Sequence, residues 1–184
     1  KYADGCEYFV FAGALHPRKN VVNLLKAFIR FKKKTRSNMK LVVVGRYGWN
    51  YEELIAMRED MPFKDDVKWV GYMNVDELSK VMGGAYALAY PSLFEGFGIP
   101  ILEALECGVP GIVSNTSSMP EVAGDAGLLV DPTDVEDIAL KMEQLYKDET
   151  LRAARTLVEG GVTPDGASYK GIGGKFEYRN VQRL

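Results

Sequence analysis

Short apolar runs closed by glycine or proline alternate along this chain with segments of helical period, and that alternation constrains the fold more than any other feature. Residues 8–12 stop at Gly13, 41–44 at Gly45, 67–70 at Gly71 and 85–90 at Pro91, and two further runs occupy 111–114 and 127–130. Runs this short and apolar at successive positions read as strands buried on both faces. Between them the period changes. Asn20 precedes Val21, Leu24, Leu25, Phe28 and Ile29, one face of a helix whose basic last turn (Lys32, Lys33, Lys34, Arg36) complements the helix dipole. Further helices are expected over 52–59, from Asn74 through Leu78, Val81 and Met82, from Ile99 to Gly108, briefly at 120–123, and through Ile138, Met142 and Leu145 to Lys147. Asn74 with Glu77, and Thr133 with Glu136, have the spacing of capping boxes. Six strands joined by helices through right-handed crossovers predict an α/β fold, a doubly wound parallel sheet of about six strands with helices on both faces. Ligands in such folds bind at the carboxyl ends of strands, so the loops after residues 12, 44, 70, 90 and 114 are the ones to carry chemistry.

Composition narrows the function. The 184 residues, 47% hydrophobic and 26% charged, suffice for one domain with its own core. With 23 Lys+Arg against 25 Asp+Glu the chain lacks the basic footprint of a nucleic-acid binder. No apolar run approaches the roughly 20 residues of a membrane span. Two cysteines, Cys6 and Cys107, are too few for a disulfide framework or a thiolate zinc site, and as idle thiols they fit a reducing cytoplasm. The single histidine, His16, cannot build a multi-histidine metal centre, and no metal site is expected. The first residues, Lys1-Tyr2-Ala3-Asp4-Gly5, include no Met and no signal peptide, so the chain reads as cut from something longer. From 155 to 184 the helical period is lost and glycines crowd in (Gly160, Gly161, Gly166, Gly171, Gly173, Gly174). The expected organisation is therefore a domain over 1–154 and an irregular Gly-rich tail over 155–184.

The richest loop follows the fourth strand. Gly96 and Gly98 free the backbone to approach a ligand, and Pro100 suits the first turn of a helix. Amides around Ile99 to Leu102 would then face outward as an anion site. Glu95 and Glu103 beside it would repel phosphate but accept hydrogen bonds from sugar hydroxyls. A plain turn with a capping glutamate accounts for the same residues equally well.

Glu95 and Glu103, with seven residues between them, resemble the E-x7-E motif of retaining glycosyltransferases of the GT-B fold. Pro91, Ser92, Glu95, Gly96, Phe97, Gly98, Pro100, Glu103 and Ala104 together look like the signature of the large family 4 (group 1) among them. Gly13, Pro17-Arg18-Lys19-Asn20, Val44-Gly45, Val70-Gly71-Tyr72, Ser114-Asn115, Pro120-Glu121-Val122-Ala123-Gly124 and Asp131-Pro132 agree in order and spacing, so the likeness covers residues 8–152. It implies the Rossmann-like C-terminal half of a GT-B enzyme, which binds a nucleoside diphosphate sugar as donor substrate. The whole enzyme would transfer a hexose to a saccharide or lipid-linked acceptor held by a preceding domain. No metal or other cofactor is implied, nor any nucleic acid, while peripheral membrane association of the full-length enzyme is allowed.

By the same resemblance, Lys19 binds the donor diphosphate with Arg18 assisting, and Gly13 lies in that first loop. Glu95 is the catalytic-site carboxylate beside the transferred sugar, with Gly96, Phe97 and Gly98 near its hydroxyls. Ile99 and Leu102 bracket the helix N-terminus, Glu103 accepts from the ribose, and Gly71, Tyr72 and Met73 hold the nucleobase. Two departures stand out. Ala14 occupies a position that is arginine in many relatives, and residues 155–184 show no long helix with a Phe-x-Trp-like element. Other readings are a starch- or sucrose-synthase-like enzyme and a non-catalytic sugar-nucleotide-binding module. A flavodoxin-like signalling domain would need acidic residues where the chain has Gly13-Ala14-Leu15-His16. The isolated domain is expected to bind donor weakly and to turn over little.

Overall fold

The computed structural model describes residues 2–156. Six parallel strands form one sheet: β1 (Tyr8–Ala12), β2 (Lys40–Val44), β3 (Val67–Gly71), β4 (Ala87–Tyr90), β5 (Gly111–Ser114) and β6 (Gly127–Val130), in the order β3-β2-β1-β4-β5-β6. Register follows the apolar runs, with Phe9 beside Leu41 and Ala87, and Ala89 beside Ile112. The helices are α1 (Val21–Thr35), α2 (Glu52–Asp60), α3 (Val75–Gly83), α4 (Ile99–Glu106), α5 (Met119–Ala123), α6 (Val135–Lys147) and α7 (Glu149–Thr156). One face carries α1 packed on α2 and α6; the other carries α4 between α3 and α5.

Strands β1, β2, β4 and β5 are buried almost throughout, as their unbroken apolar character requires. Aromatic rings knit the α1 face: Phe9 meets Phe31 edge-on at 5.4 Å between centroids, and Phe31 meets Tyr146 of α6 at 5.5 Å. The sheet folds the chain outward in two directions. From β1 it runs through β2 to β3, then crosses back to β4 and on to β6. The loops after β1 and β4 therefore leave neighbouring strands toward opposite faces and open a crevice between them, the place where such sheets bind ligands.

Two sequence expectations need correction. The helix after β6 is capped by Asp134, not Thr133: the Asp134 carboxylate accepts from the Glu136 N–H at 2.8 Å and the Asp137 N–H at 3.3 Å. Thr133 instead donates its hydroxyl to Asp131 at 2.6 Å. Asp134→Ala should therefore cost about 1 kcal/mol in urea unfolding, and Thr133→Ala clearly less. Arg155 and Thr156, expected to begin the irregular tail, are the last residues of α7, whose first turn Asp148 caps by accepting from the Leu151 N–H at 2.8 Å. The rest of that tail, 157–184, lies outside the described residues. The Asn74–Glu77 capping box is present as read.

Candidate active site

The β1–α1 loop turns at Pro17–Lys19 and reaches α1 through Asn20, which takes a left-handed conformation at φ 58°. Its side chain does not cap the helix. It donates to the carbonyls of Pro91 at 2.9 Å and Pro132 at 2.7 Å, tying the loops after β1, β4 and β6 together. The Leu93 N–H donates to the Arg18 carbonyl at 2.8 Å, closing the same seam. The residues flanking the crevice are thus fixed to one another through buried polar contacts that water does not replace.

On this seam the chain brings Lys19 and Glu95 into a buried ion pair, with Lys19 Nζ 2.6 Å from Glu95 Oε1. Lys19 is 8% exposed and Glu95 7%. Lys19 also donates to the Tyr90 hydroxyl, which in turn donates to Glu95 Oε1 at 3.0 Å. Arg18, at the surface, sits 3.9 Å from Glu95 Oε2 and donates to the Phe94 carbonyl at 3.2 Å. Burial alone would push the Glu95 carboxyl up, but the Lys19 hydrogen bond, the Ser92 hydroxyl, the Lys19 charge and, least, the Tyr90 hydroxyl together outweigh it and hold the group below the ordinary carboxylate value. Burial and the Glu95 charge push the Tyr90 hydroxyl far up, so it stays a neutral donor. Lys19 is therefore not the free cation that the sequence suggests. Still, Arg18, Lys19 and Glu95 together carry two positive charges against one negative, which favours an anion.

Beyond Glu95 the loop is held by its own carbonyls. Ser117 and Ser118 both donate hydroxyls to the Glu95 carbonyl, the latter at 3.2 Å, and Ser114 donates to that of Ser92 at 2.6 Å. Gly98, at φ 91°, admits the turn into α4 that a residue with a side chain resists. The Phe97 and Gly98 N–H groups donate to no acceptor among the described residues, and that of Ile99 has none within its own helix. The anion site is narrower than the sequence implied, because Ile101 donates to the Gly98 carbonyl at 2.9 Å and Pro100 has no N–H. The Leu102 side chain packs in the interior.

Glu103 lies half-buried in α4, its carboxylate without a hydrogen bond or ion pair among the described residues, and no such contact joins it to Glu95. Burial, with Glu106 beside it, raises its pKa. A carboxyl raised on folding opposes stability where it is ionised, so Glu103→Gln should raise the melting temperature at pH 7, with the gain vanishing toward pH 4, as differential scanning fluorimetry can record. If this carboxylate serves a ligand, the same change weakens nucleoside binding.

Gly71 ends β3 and Tyr72 and Met73 follow it, two strands away in the sheet from β1, whose loop carries Lys19. Met73 is buried and Tyr72 exposed, with the Arg46 guanidinium 4.2 Å from its ring centroid. The Gly71 carbonyl accepts from the Gly45 N–H at 2.8 Å, and Gly45 abuts Gly13. The loops after β3, β2 and β1 thus touch in sequence along the carboxyl edge. A cavity of about 730 Å³ exists elsewhere, lined by Gly127, Leu128, Leu140 and Leu151 where β6 begins, and so does not belong to this edge. Sequence reasoning missed Tyr90, Ser117, Ser118 and Arg46, and gave Asn20 no bridging role; Tyr90 abuts the Pro91-Ser92 motif and Asn20 lies within the Pro17–Asn20 segment. Among the described residues no group of three or more His, Cys, Asp or Glu could hold a metal, and no helix is long and apolar enough to cross a membrane.

Comparison with known proteins agrees with this geometry. The chain is 38% identical over 149 residues to O-antigen chain mannosyltransferase B of Escherichia coli, covering 81% of this chain and 39% of that protein. It is 36% identical over 130 residues to O-antigen chain mannosyltransferase RfbU of Salmonella typhimurium, covering 69% and 35%. It thus spans well under half the length of these relatives. The solved structure of Anabaena HepE in complex with UDP-glucose superposes with a TM-score of 0.72 at 20% identity, over 84% of this chain and 43% of that one. WaaG, a glycosyltransferase of lipopolysaccharide biosynthesis, does so at 0.71 and 22%, over 84% and 42%. At those identities the likeness is one of fold, a GT-B Rossmann-like half. The family described as glycosyl transferases group 1 matches residues 3–157, and the chain belongs to it.

Proposed function

We propose that this chain is the donor-binding part of a retaining glycosyltransferase, which moves a hexose from a nucleoside diphosphate sugar to a saccharide or lipid-linked acceptor in the cytoplasm. The observation that carries the reading is the Lys19–Glu95 pair, set at the switch point of the sheet beside the free amides of Phe97, Gly98 and Ile99. Lys19, Arg18 and the Ile99 amide at the start of α4 take the diphosphate, whose charge grows as it leaves, so they act most strongly in the transition state, while the Phe97 and Gly98 amides face the hydroxyls of the transferred sugar. Gly13 and Gly96 let the backbone come close. Glu95 accepts from the transferred sugar and Glu103 from the ribose, while Gly71, Tyr72 and Met73 flank the base. The reading needs no metal ion, because cationic side chains and a helix N-terminus take its place. UDP-glucose in the HepE structure and the mannosyltransferase names of the relatives support it. Acceptor-holding groups belong to a preceding domain, so the chain alone binds donor and turns over little. Thermal-shift assays with UDP-, GDP- and ADP-sugars test this: one series should raise the melting temperature, in the order sugar conjugate, diphosphate, nucleoside. No shift with any of them at millimolar concentration overturns the reading.

A further inference from the structure

We infer that the Tyr90 hydroxyl is a positioning residue of the donor site, holding Lys19 and Glu95 in the one arrangement that leaves each a free edge for the substrate. The inference rests on the donor-site reading above and adds a group outside the E-x7-E motif. Tyr90 is fully buried, its ring stacked on Phe11 with centroids 5.8 Å apart. That stacking at the end of β4 fixes where the hydroxyl lies. The hydroxyl uses its hydrogen on Glu95 Oε1 and a lone pair on Lys19 Nζ.

The consequence follows by counting. An ammonium has three N–H groups. Lys19 gives one to Tyr90 and one to Glu95, and the third has no acceptor among the described residues. Nζ lies 3.7 Å from where a side chain on Gly13 would begin, so glycine there keeps the ammonium's surroundings open. Glu95 spends Oε1 on Lys19 and Tyr90, leaving Oε2 to the longer contact with Arg18. Tyr90 thus directs one lysine N–H toward a phosphate oxygen and one carboxylate oxygen toward a sugar hydroxyl. Without the hydroxyl, the lysine can rotate to place a second N–H on Glu95 Oε2, which fills the carboxylate's free edge and swings the last N–H away from the phosphate.

Tyr90→Phe keeps the ring and its stacking and removes only this tie. Its affinity for UDP or GDP, each titrated by calorimetry, should fall about three- to tenfold, the worth of one hydrogen bond. The Glu95 carboxyl, read by side-chain carbon NMR across pH, should titrate at higher pH in the variant, because the charged form loses a donor. The other charged or titratable groups facing Glu95 are Arg18, Lys19 and His16, and Tyr90→Phe leaves all three in place. Replacing Tyr90 by 3-fluorotyrosine should shift the Glu95 titration the opposite way, since a more acidic phenol donates more strongly. A role in packing alone moves neither titration. Unchanged affinity and unchanged Glu95 titration in Tyr90→Phe, with binding lost in Lys19→Ala, overturn the inference and leave the donor site standing. If Lys19→Ala binds as well as the parent chain, the donor-site reading itself fails.

Discussion

Lys19→Ala is expected to lower nucleoside diphosphate affinity ten- to a hundredfold and to destabilise the chain by about 3 kcal/mol. The first effect is the loss of one charge-assisted hydrogen bond to phosphate, roughly 1.5–3 kcal/mol. The second has a different origin. Lys19 and Glu95 are both nearly excluded from water, and deleting one partner leaves the other charge buried and uncompensated. Such losses run to about 3–5 kcal/mol, and the lower end applies because Arg18 stays near Glu95 Oε2. The two effects separate in the double variant Lys19→Met with Glu95→Gln, which removes both charges: stability should largely return and affinity should not. The pair also sets an acid limit. Folding depresses the Glu95 pKa, so its contribution is complete above the ordinary carboxylate value of 4.5 and is lost as pH falls through the lower folded value. Calorimetric titration and urea unfolding of the three proteins, at pH 7 and below pH 4, measure each part.

Gly45→Ala should destabilise the chain at least as much, although Gly45 carries no chemistry. A side chain there would begin 1.9 Å from the Gly13 carbonyl oxygen and 2.8 Å from its carbon. The obstacle is backbone, so no rotamer relieves it. The φ of 152° adds strain of its own. Strain and overpacking each cost about 1–3 kcal/mol, together about 4, or on the order of 10 °C in melting temperature. Because Gly13 opens the loop that carries Lys19, diphosphate affinity should fall with stability. Gly71→Ala is the contrast: its φ is also positive, at 71°, but nothing lies within 4 Å of the added carbon, so only the conformational cost of about 1–2 kcal/mol remains. Thermal unfolding of the two variants should differ accordingly.

The fold was legible because the strands are short apolar runs, four of them closed by glycine or proline, alternating with segments of helical period. Arg18-Lys19 and the Glu95–Glu103 spacing could be singled out as a candidate site because each lies within one short segment that resembles a family motif. What escaped depends on contacts between distant loops. Tyr90 reads as one more strand residue until the fold brings Lys19, 71 positions away, onto its hydroxyl. Asn20 reads only as the polar residue ahead of α1, until the fold brings its amide between the carbonyls of Pro91 and Pro132, the latter shared with Asn23. Thr133 and Asp134 are both capable caps, and the carboxylate, as the stronger acceptor, takes the helix amides. The short α7 escaped because its turns are rich in charge and gain their order from packing on α6 and from Tyr86, whose hydroxyl shares its one hydrogen between the Leu145 carbonyl and Glu149, each 2.9 Å away.

The central claim is that a diphosphate lies between Lys19 and the start of α4. Backbone amide NMR of the chain titrated with UDP and with GDP tests it most directly, since Ile99 carries the N–H proposed to meet the phosphates and the unbonded amides of Phe97 and Gly98 adjoin it. The account predicts that these three amides and that of Gly13 shift together along one saturating curve, and that Lys19→Ala abolishes the movement. Saturable shifts confined to other parts of the sheet edge or to the α6–α7 side, with these amides unmoved, would contradict it.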